Sequence, residues 1–279
     1  MSITRLTNGL VVDEHGIWTH AKCASISYPN DGNSQCFELE DKSFWFSHRN
    51  DCIISACKLF SPKGAILDVG GGNGYVTRRL LDEGFNATLL EPGAIGALNG
   101  KKQRGIPEVI CSTLYDAGFA DRSLDAVGCF DVIEHIEDDY AFITHVFNLL
   151  KPDGLFFATV PAHRYLWSES DVTAGHFRRY NRRMIQELLA PHFDLLFFTY
   201  FFQALALPIF LLRTLPSRIR PFKRAKLLTH ESEHGSVRGI AIRMLEHFMR
   251  REPIHIGRGK SLRFGSSCLV VAREKTAHL

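Results

Sequence analysis

The sequence is poor in the features that mark specialised chain classes. Its seven cysteines are an odd, scattered set with no C-x-x-C pair. That argues against a disulfide scaffold or a zinc ribbon and fits a reducing compartment. Net charge is only +3 over 279 residues, so no overall electrostatic case for nucleic acid exists and any basic role is local. The opening MSITRLTNGLVVDEHG lacks the apolar run of a secretory signal, so a cytoplasmic location is expected. Internal repeats and low-complexity tracts are absent. Hydrophobic residues at 45% and charged residues at 23% exclude disorder, collagen and coiled coil as whole-chain descriptions. What is abundant is phenylalanine: 21 residues, several crowded between Phe197 and Phe210.

The pattern along the chain is an alternation of short apolar strands and helices. Leu10–Val12 and Ile17-Trp18 flank Asp13–Gly16 as a small hairpin, and Tyr28–Ser34 is a loop. A helix is expected over 38–60, with Phe44, Ile53, Ile54, Cys57 and Phe60 as apolar positions. Strands are expected at 65–69, 87–90, 108–111, 124–130, 155–160, 193–201 and 267–273. Helices are expected up to Leu81 (Gly84 as C-cap), over 137–150, and from an Asn181 cap to Ala190. Lys151–Gly154 reads as a turn. Alternation of this kind means a parallel α/β sheet.

The segment Ile66-Leu67-Asp68-Val69-Gly70-Gly71-Gly72-Asn73-Gly74-Tyr75-Val76 is a strand running into a glycine turn and then a helix. Glycines let the backbone adopt φ > 0 and come close to a ligand. The helix start behind the turn offers free N–H groups and positive dipole to an anionic group. Glu91 closes the next strand, 23 positions after Asp68, where a carboxylate can accept both hydroxyls of a ribose. The dinucleotide pattern G-x-G-x-x-G fails, because the third glycine would fall on Tyr75 or Thr77.

The actual spacing, Asp68-x-Gly70-x-Gly72-x-Gly74, resembles motif I of the class I S-adenosylmethionine-dependent methyltransferases. Ser123–Val127, Phe130–Asp138, Leu149–Gly154, Val160–His163 and Gly175–Tyr180 resemble later stretches of that superfamily, and Phe44-Trp45-Phe46 with Arg49 resembles the cap helix of a bacterial small-molecule and glycolipid-type branch. The resemblance implies a Rossmann-like, seven-stranded, mostly parallel sheet with helices on both faces and an antiparallel last strand between strands five and six. It implies S-adenosyl-L-methionine as cofactor, with Gly70, Gly72, Asn73 and Gly74 around its methionine part, Asp68 ordering the loop, Glu91 on the ribose and Phe130 beside it. The family often has an aspartate facing the adenine amine after strand three. This chain has Cys111-Ser112-Thr113-Leu114 instead, so Thr113 or Ser112 would have to serve.

Methyl transfer to a hydroxyl or ammonium group needs a general base. His135, just after strand four at the carboxyl edge of the sheet, is the first candidate, and a helix-capping histidine is the alternative. His176, in the loop after strand five, is the second candidate; its alternative is ordering that loop. Asp131 and Glu134 either orient the base and contact substrate or supply charge to a helix start. Arg178 and Arg179, assisted by Tyr180, suit an anionic substrate group, or pair with Asp171 or Glu187. Trp45 and Phe46 are either an aromatic lid or core packing. No metal site is read from the sequence; Cys23 and Cys36 share a segment but form no paired motif.

Residues 195–212 carry no charge. After strand six only 204–212 remain, too short to span a bilayer and interrupted by Pro208. Arg213, Arg218, Arg220, Lys223, Arg224 and Lys226 follow, with no acidic residue between Leu195 and His230. That pattern suits surface contact with a membrane over 204–226, a lid on the substrate cleft, or a dimer contact; the oligomeric state stays open. Val237, Ile240, Ala241, Met244, Leu245 and Phe248 share one helical face, with Ser236 as its cap. The expected organisation is a hairpin and cap helix over 1–60, a methyltransferase core over 61–202, an insertion over 203–264, and a final strand and tail over 265–279. The expected activity is methylation of oxygen or nitrogen on a small-molecule or sugar- or lipid-linked acceptor, in the cytoplasm or peripherally on the inner face of the membrane, with no nucleic-acid partner. Two alternatives stay open: an RNA or protein methyltransferase using the basic run, and a non-catalytic cofactor-binding or membrane-adaptor protein.

Overall fold

The computed structural model of the chain describes residues 6–20, 37, 39–219 and 248–276. Its strands are β1 (Leu10–Val12), β2 (Trp18–His20), β3 (Ile66–Val69), β4 (Ala87–Leu90), β5 (Val109–Cys111), β6 (Leu124–Phe130), β7 (Leu150–Pro161), β8 (Phe193–Phe201) and β9 (Ser267–Glu274). They form one sheet in the order β1-β2-β5-β4-β3-β6-β7-β9-β8. β3 pairs in parallel with both β4 and β6, and β9 runs antiparallel between β7 and β8. The sheet has nine strands rather than the expected seven, because the hairpin β1–β2 joins its edge. β2 lies parallel to β5, with Trp18 opposite Ile110.

The inner strands are largely buried, as β3 and β4 are at every residue, and their alternate positions feed two cores. Leu67, Val69, Val127 and Cys129 face one core, with Phe142 and Ile143 of α4 (Asp139–Leu149) and, past the short helix α5 (Glu169–Thr173), Ile185 of α6 (Arg182–Leu189). Ile66, Ala126 and Phe130 face the other, with Ile53 and Cys57 of α1 (Phe44–Phe60) and Val76 and Leu80 of α2 (Tyr75–Asp82). Fully burying one such side chain contributes about 1.5–3 kcal/mol. Gly128 is required here: a Cβ would stand 2.6 Å from the Phe130 ring.

Three local expectations change. Lys151–Gly154 is not a turn. It lies inside β7 as an irregularity, with Leu150 opposite Leu124, then Leu155 opposite Ala126 and Asp153 at φ +63. The 38–60 helix is interrupted at 41–43: residues 39 and 40 are helical, and the long helix starts at Phe44, capped by the Ser43 hydroxyl, which accepts from the Trp45 N–H. A further helix, α3 (Ala94–Lys102), was not expected, because Gly96 and Gly100 are poor helix formers. Gly100 is there for packing: a Cβ would sit 2.5 Å from Leu89.

Past β8 the chain forms α7 (Gln203–Ile209), a π-turn (Phe210–Thr214) and α8 (Leu215–Ile219), with Pro208 inside α7. Proline removes an N–H from the helical ladder, and the wider turn follows directly. No helix among the described residues is long and apolar enough to cross a membrane. Arg220, Lys223, Arg224 and Lys226 of the basic run, the expected helical face from Val237 to Leu245, the 28–34 loop, Cys23 and Cys36 lie outside the described residues.

α9 (Arg251–Gly257) packs on α1, and its Glu252 is the joint of this end of the molecule. The buried carboxylate accepts from the Phe202 N–H at 2.7 Å and the Gln203 N–H at 2.8 Å, and lies 2.8 Å from His48 Nε2. It therefore ties α9, α1 and the start of α7 together. Glu252→Ala leaves two amides and an imidazole without their acceptor. It is expected to lower unfolding free energy by about 3 kcal/mol, read from urea midpoints. A loss below about 1 kcal/mol would contradict the assignment.

Candidate active site

The chain runs outward from β3 to β5 and then returns to β6 and β7 on the other side of β3. Ligands of such sheets bind at the carboxyl ends of the strands beside this switch point. Those ends carry the glycine turn after β3, Glu91 after β4 and Asp131 after β6.

The glycine turn is built for close approach. Gly70, Gly72 and Gly74 all have positive φ, +66, +58 and +77. A Cβ on Gly74 would stand 2.2 Å from Ile106, and one on Gly70 would stand 2.9 Å from Val132. Glu91 clasps the turn: its Oε2 accepts from the Gly72 N–H at 2.8 Å and its Oε1 from the Gly93 N–H at 2.7 Å. Asn73 is buried and its side chain serves the scaffold, donating to Glu40 at 3.2 Å and accepting from Asn99 at 2.9 Å. Glu40 in turn pairs with Arg104 at 2.9 Å.

Asp68 is fully buried. One oxygen accepts from the Thr77 hydroxyl at 2.6 Å, while Oδ1 has no partner. Burial pushes its carboxyl up to about 7, against the opposing Thr77 hydrogen bond. Above it α1 contributes Arg49, a buried guanidinium that sequence reading placed only within the cap helix. Its Nη1 donates to Asp131 and its carbon lies 5.2 Å from the Trp45 ring centroid and 5.5 Å from that of Phe46. Its Nε–H is buried without a partner. An unsatisfied buried donor and an unsatisfied buried acceptor flank the same turn. Together they suit a zwitterionic amino-acid group, whose carboxylate takes the donor and whose ammonium takes the acceptor. The residues present therefore fit the methionine end of S-adenosylmethionine.

The second half of the site is a histidine cluster. Glu134 and His135 lie in a 3-10 turn, Ile133–His135, just past β6. His176 comes from the loop after β7, and the Phe177 N–H donates to the Glu134 carbonyl at 2.7 Å, locking loop to turn. The His135 and His176 rings meet edge to face at 4.7 Å. Burial, with His176 adding to it, holds His135 down to about 4, so its imidazole is neutral at ordinary pH. His176 Nδ1 lies 3.0 Å from Asp171, a fully buried carboxylate that also accepts from Arg179 at 2.7 and 3.1 Å and from the Ser168 N–H at 2.9 Å. Although burial alone would raise it, these partners hold Asp171 well below the usual carboxylate range.

Several residues expected to contact ligands have other partners. Asp131, at φ +60, accepts from the Thr159 hydroxyl at 3.0 Å as well as from Arg49, so it fixes the guanidinium. Arg178 pairs with Asp139 at 2.6 Å. Tyr180 is buried, and its hydroxyl donates to Asp139 at 2.8 Å. Thr113 closes a turn with Asp116 at 2.6 Å, whereas the neighbouring Ser112 hydroxyl is buried with no partner. Phe130 is buried in the core cluster that includes Ile53 and Cys57 of α1. Trp45 stacks on Phe202 at 5.2 Å. Asp171 entered the sequence reading only as a salt-bridge partner, and His48 and Glu252 did not enter it; no local spacing links His48 to a carboxylate 204 positions away.

Comparison with known proteins points to one family. The family described as methyltransferase domain matches residues 47–207. The chain is 32% identical over 112 residues to a ubiquinone biosynthesis O-methyltransferase of Rickettsia felis, covering 39% of this chain and 42% of that protein. It is 24% identical over 154 residues to a probable S-adenosylmethionine-dependent methyltransferase of Mycolicibacterium smegmatis, covering 54% of this chain and 59% of that one. The chain thus spans about half the length of the curated relatives it matches. Its fold is similar to the crystal structure of a SAM-dependent methyltransferase from Archaeoglobus fulgidus, with a TM-score of 0.54 at 16% identity over 85% of this chain and 98% of that one.

The raised Asp68 carboxyl gives a signed pH effect. Its folded value lies above the unfolded value of 3.8, so its stability contribution is full below that value and is lost as pH rises through about 7. Ligand-free Asp68→Asn should gain about 3 kcal/mol on the parent between pH 5 and pH 8, read by urea denaturation. An equal stability difference at both pH values would contradict the burial account.

Proposed function

Because the chain belongs to the methyltransferase domain family, among the class I S-adenosylmethionine-dependent methyltransferases, we propose that it methylates a hydroxyl oxygen of a small-molecule acceptor. When bound, S-adenosylmethionine supplies a methyl group already activated on its sulfonium. Arg49 and Asp68 hold the amino-acid end, Glu91 the ribose, and the glycine turn admits the backbone-close approach. The acceptor would lie on the side of Glu134, His135 and His176, where these residues would orient its hydroxyl and the imidazole of His176 would take the proton that the hydroxyl gives up on receiving the methyl group. Asp171 fixes the ring of His176 in that task, and Arg179 fixes Asp171. The observation that carries this reading is the pairing of the orphan Arg49 Nε–H with the orphan Asp68 Oδ1 beside the glycine turn. The relative from Rickettsia felis, an O-methyltransferase by name, supports oxygen over nitrogen.

The insertion serves as a lid in this proposal. Arg213 Nε donates to the Ser168 hydroxyl at 2.8 Å and the Thr214 hydroxyl to the Leu166 carbonyl at 3.1 Å. Those contacts join the insertion to the loop that carries His176. A second reading, contact with a membrane surface bearing a lipid-linked acceptor, is favoured by the exposure of Leu207 and Leu212, at 63% and 76%.

The test is titration with S-adenosylmethionine and S-adenosylhomocysteine, alongside NAD, followed by turnover on hydroxylated acceptors. Binding of the first two and not NAD is expected. His176→Ala should lower turnover by about 10²- to 10⁴-fold while cofactor affinity stays within about twofold of the parent. No binding of either sulfur ligand to folded protein would overturn the proposal, and so would unchanged turnover in His176→Ala.

A further inference from the structure

We propose that the ring stack at the carboxyl ends of β7 and β8 is a subsite for a nucleoside diphosphate, with the base stacked on Tyr165 and Phe264 and the phosphates held by Arg164, Arg182, Lys260 and Arg263. The His163 ring is the centre of the stack. It meets Tyr165 at 4.9 Å, Tyr200 at 4.8 Å and Phe264 at 5.8 Å, at interplanar angles of 22°, 19° and 25°. Tyr165 and Phe264 stay 43% and 42% exposed, so their rings remain open to a further planar group. Aromatic side chains stack on any nucleobase, because every base has a π face.

Three segments of the chain are fastened together to make this platform. The His163 N–H donates to the Tyr180 carbonyl at 2.7 Å. The Tyr200 N–H donates to the Leu262 carbonyl at 3.2 Å, and the Leu262 N–H to the Thr199 hydroxyl at 2.8 Å. These bonds fix the loop before β9 along β8. His163 itself is held at φ 59 and ψ 114, a conformation that non-glycine residues keep chiefly at functional sites. Its Nε2 is buried without a partner. Burial, with Arg179 adding to it, lowers its proton affinity, so a neutral ring stands among the surrounding cations.

The charge around the stack has one sign. Arg164 lies between His163 and Tyr165, and Arg263 precedes Phe264. The Arg182 N–H donates to the Tyr200 hydroxyl at 3.3 Å, and its guanidinium carbon lies 5.6 Å from the Phe198 ring, which meets Tyr200 at 5.0 Å. These three arginines and Lys260 are exposed, and none of them pairs with a carboxylate among the described residues. Nearby Arg178 and Arg183, by contrast, pair with Asp139 and Glu187. Guanidinium forks match phosphate oxygens, and a flexible lysine adds a point charge. Flat rings at small angles favour a base over an acyl chain, and four cations in one cluster suit a diphosphate. The loop that begins at His163 also carries His176. A nucleotide that delivers the acceptor to that histidine rests on the methyl-transfer reading; the nucleotide subsite itself does not.

Full-length protein is titrated with uridine diphosphate and guanosine diphosphate, with and without saturating S-adenosylhomocysteine. At least one diphosphate is expected to bind with a dissociation constant of about 100 µM or tighter, unchanged by S-adenosylhomocysteine. Uridine and pyrophosphate, each carrying half of the ligand, should bind at least about tenfold more weakly. Phe264→Leu and Tyr165→Leu should each weaken the diphosphate at least about fivefold, as should Arg263→Gln, all with S-adenosylhomocysteine affinity within about twofold of the parent. Failure of both diphosphates to bind folded protein would overturn the subsite. So would displacement by S-adenosylhomocysteine, pyrophosphate binding as tightly as the diphosphate, or affinity undiminished in the three variants. A ten-nucleotide oligouridylate that binds more than about a hundredfold tighter than uridine diphosphate would replace the nucleotide by single-stranded RNA. Protein that binds S-adenosylhomocysteine but neither diphosphate refutes the subsite alone, and the reverse refutes the methyl-transfer reading alone.

Discussion

The ion pair between Arg49 and Asp131 joins the two halves of the molecule that make the site. It links helix α1, outside the sheet, to the carboxyl end of β6 in its middle. Arg49 is a buried cation among carboxylates, and a charge removed from water is stable only where it is paired. Asp131 meets that demand from a left-handed backbone position braced by Thr159. Arg49 also interacts electrostatically with Asp68, Glu40 and Glu134. One guanidinium thereby offsets negative charge from both the cofactor half and the histidine half.

The surrounding architecture keeps that guanidinium in place. Trp45 and Phe46 provide ring contacts for it, Trp45 stacks on Phe202, and Phe202 hangs from Glu252 by its N–H. Glu252 also reaches His48, one residue before Arg49. Positioning of the site therefore runs from α9 through the start of the insertion to α1. Across the sheet, Arg179 and Asp171 do the corresponding work for His176, and Arg213 of the insertion approaches the same carboxylate at 3.6 Å. The insertion is in this way coupled to the histidine cluster.

The fold was largely legible in the sequence because its signals are local. Apolar runs gave most of the sheet, and Asn181 and Gly84 marked helix ends where the backbone has them. Where local signals conflicted with packing, reading failed. Gly96 and Gly100 hid α3, although Gly100 is demanded by Leu89, and the Lys151–Gly154 signature was absorbed as a strand irregularity. In the site, Asp68, Glu91 and the glycines could be named because motif and strand ends are contiguous. The partners that Asp131, Arg178 and Tyr180 have in the fold, Arg49 for the first and Asp139 for the other two, were not foreseen, since a polar side chain's partner across the fold is not written in its own segment. Arg49, Asp171 and Glu252 gain their meaning from residues 82, 8 and 204 positions away.

Two unsatisfied groups, the Arg49 Nε–H and the Asp68 Oδ1, carry the claim that this turn receives the amino-acid end of S-adenosylmethionine. The most direct measurement compares the affinity of the parent and of Arg49→Met for S-adenosylhomocysteine and for 5′-methylthioadenosine, which lacks the amino-acid carboxylate and ammonium. The account predicts that Arg49→Met weakens S-adenosylhomocysteine at least about tenfold, the size of a lost charge-assisted hydrogen bond, and leaves 5′-methylthioadenosine unchanged. Equal weakening of both ligands, or of neither, would contradict it.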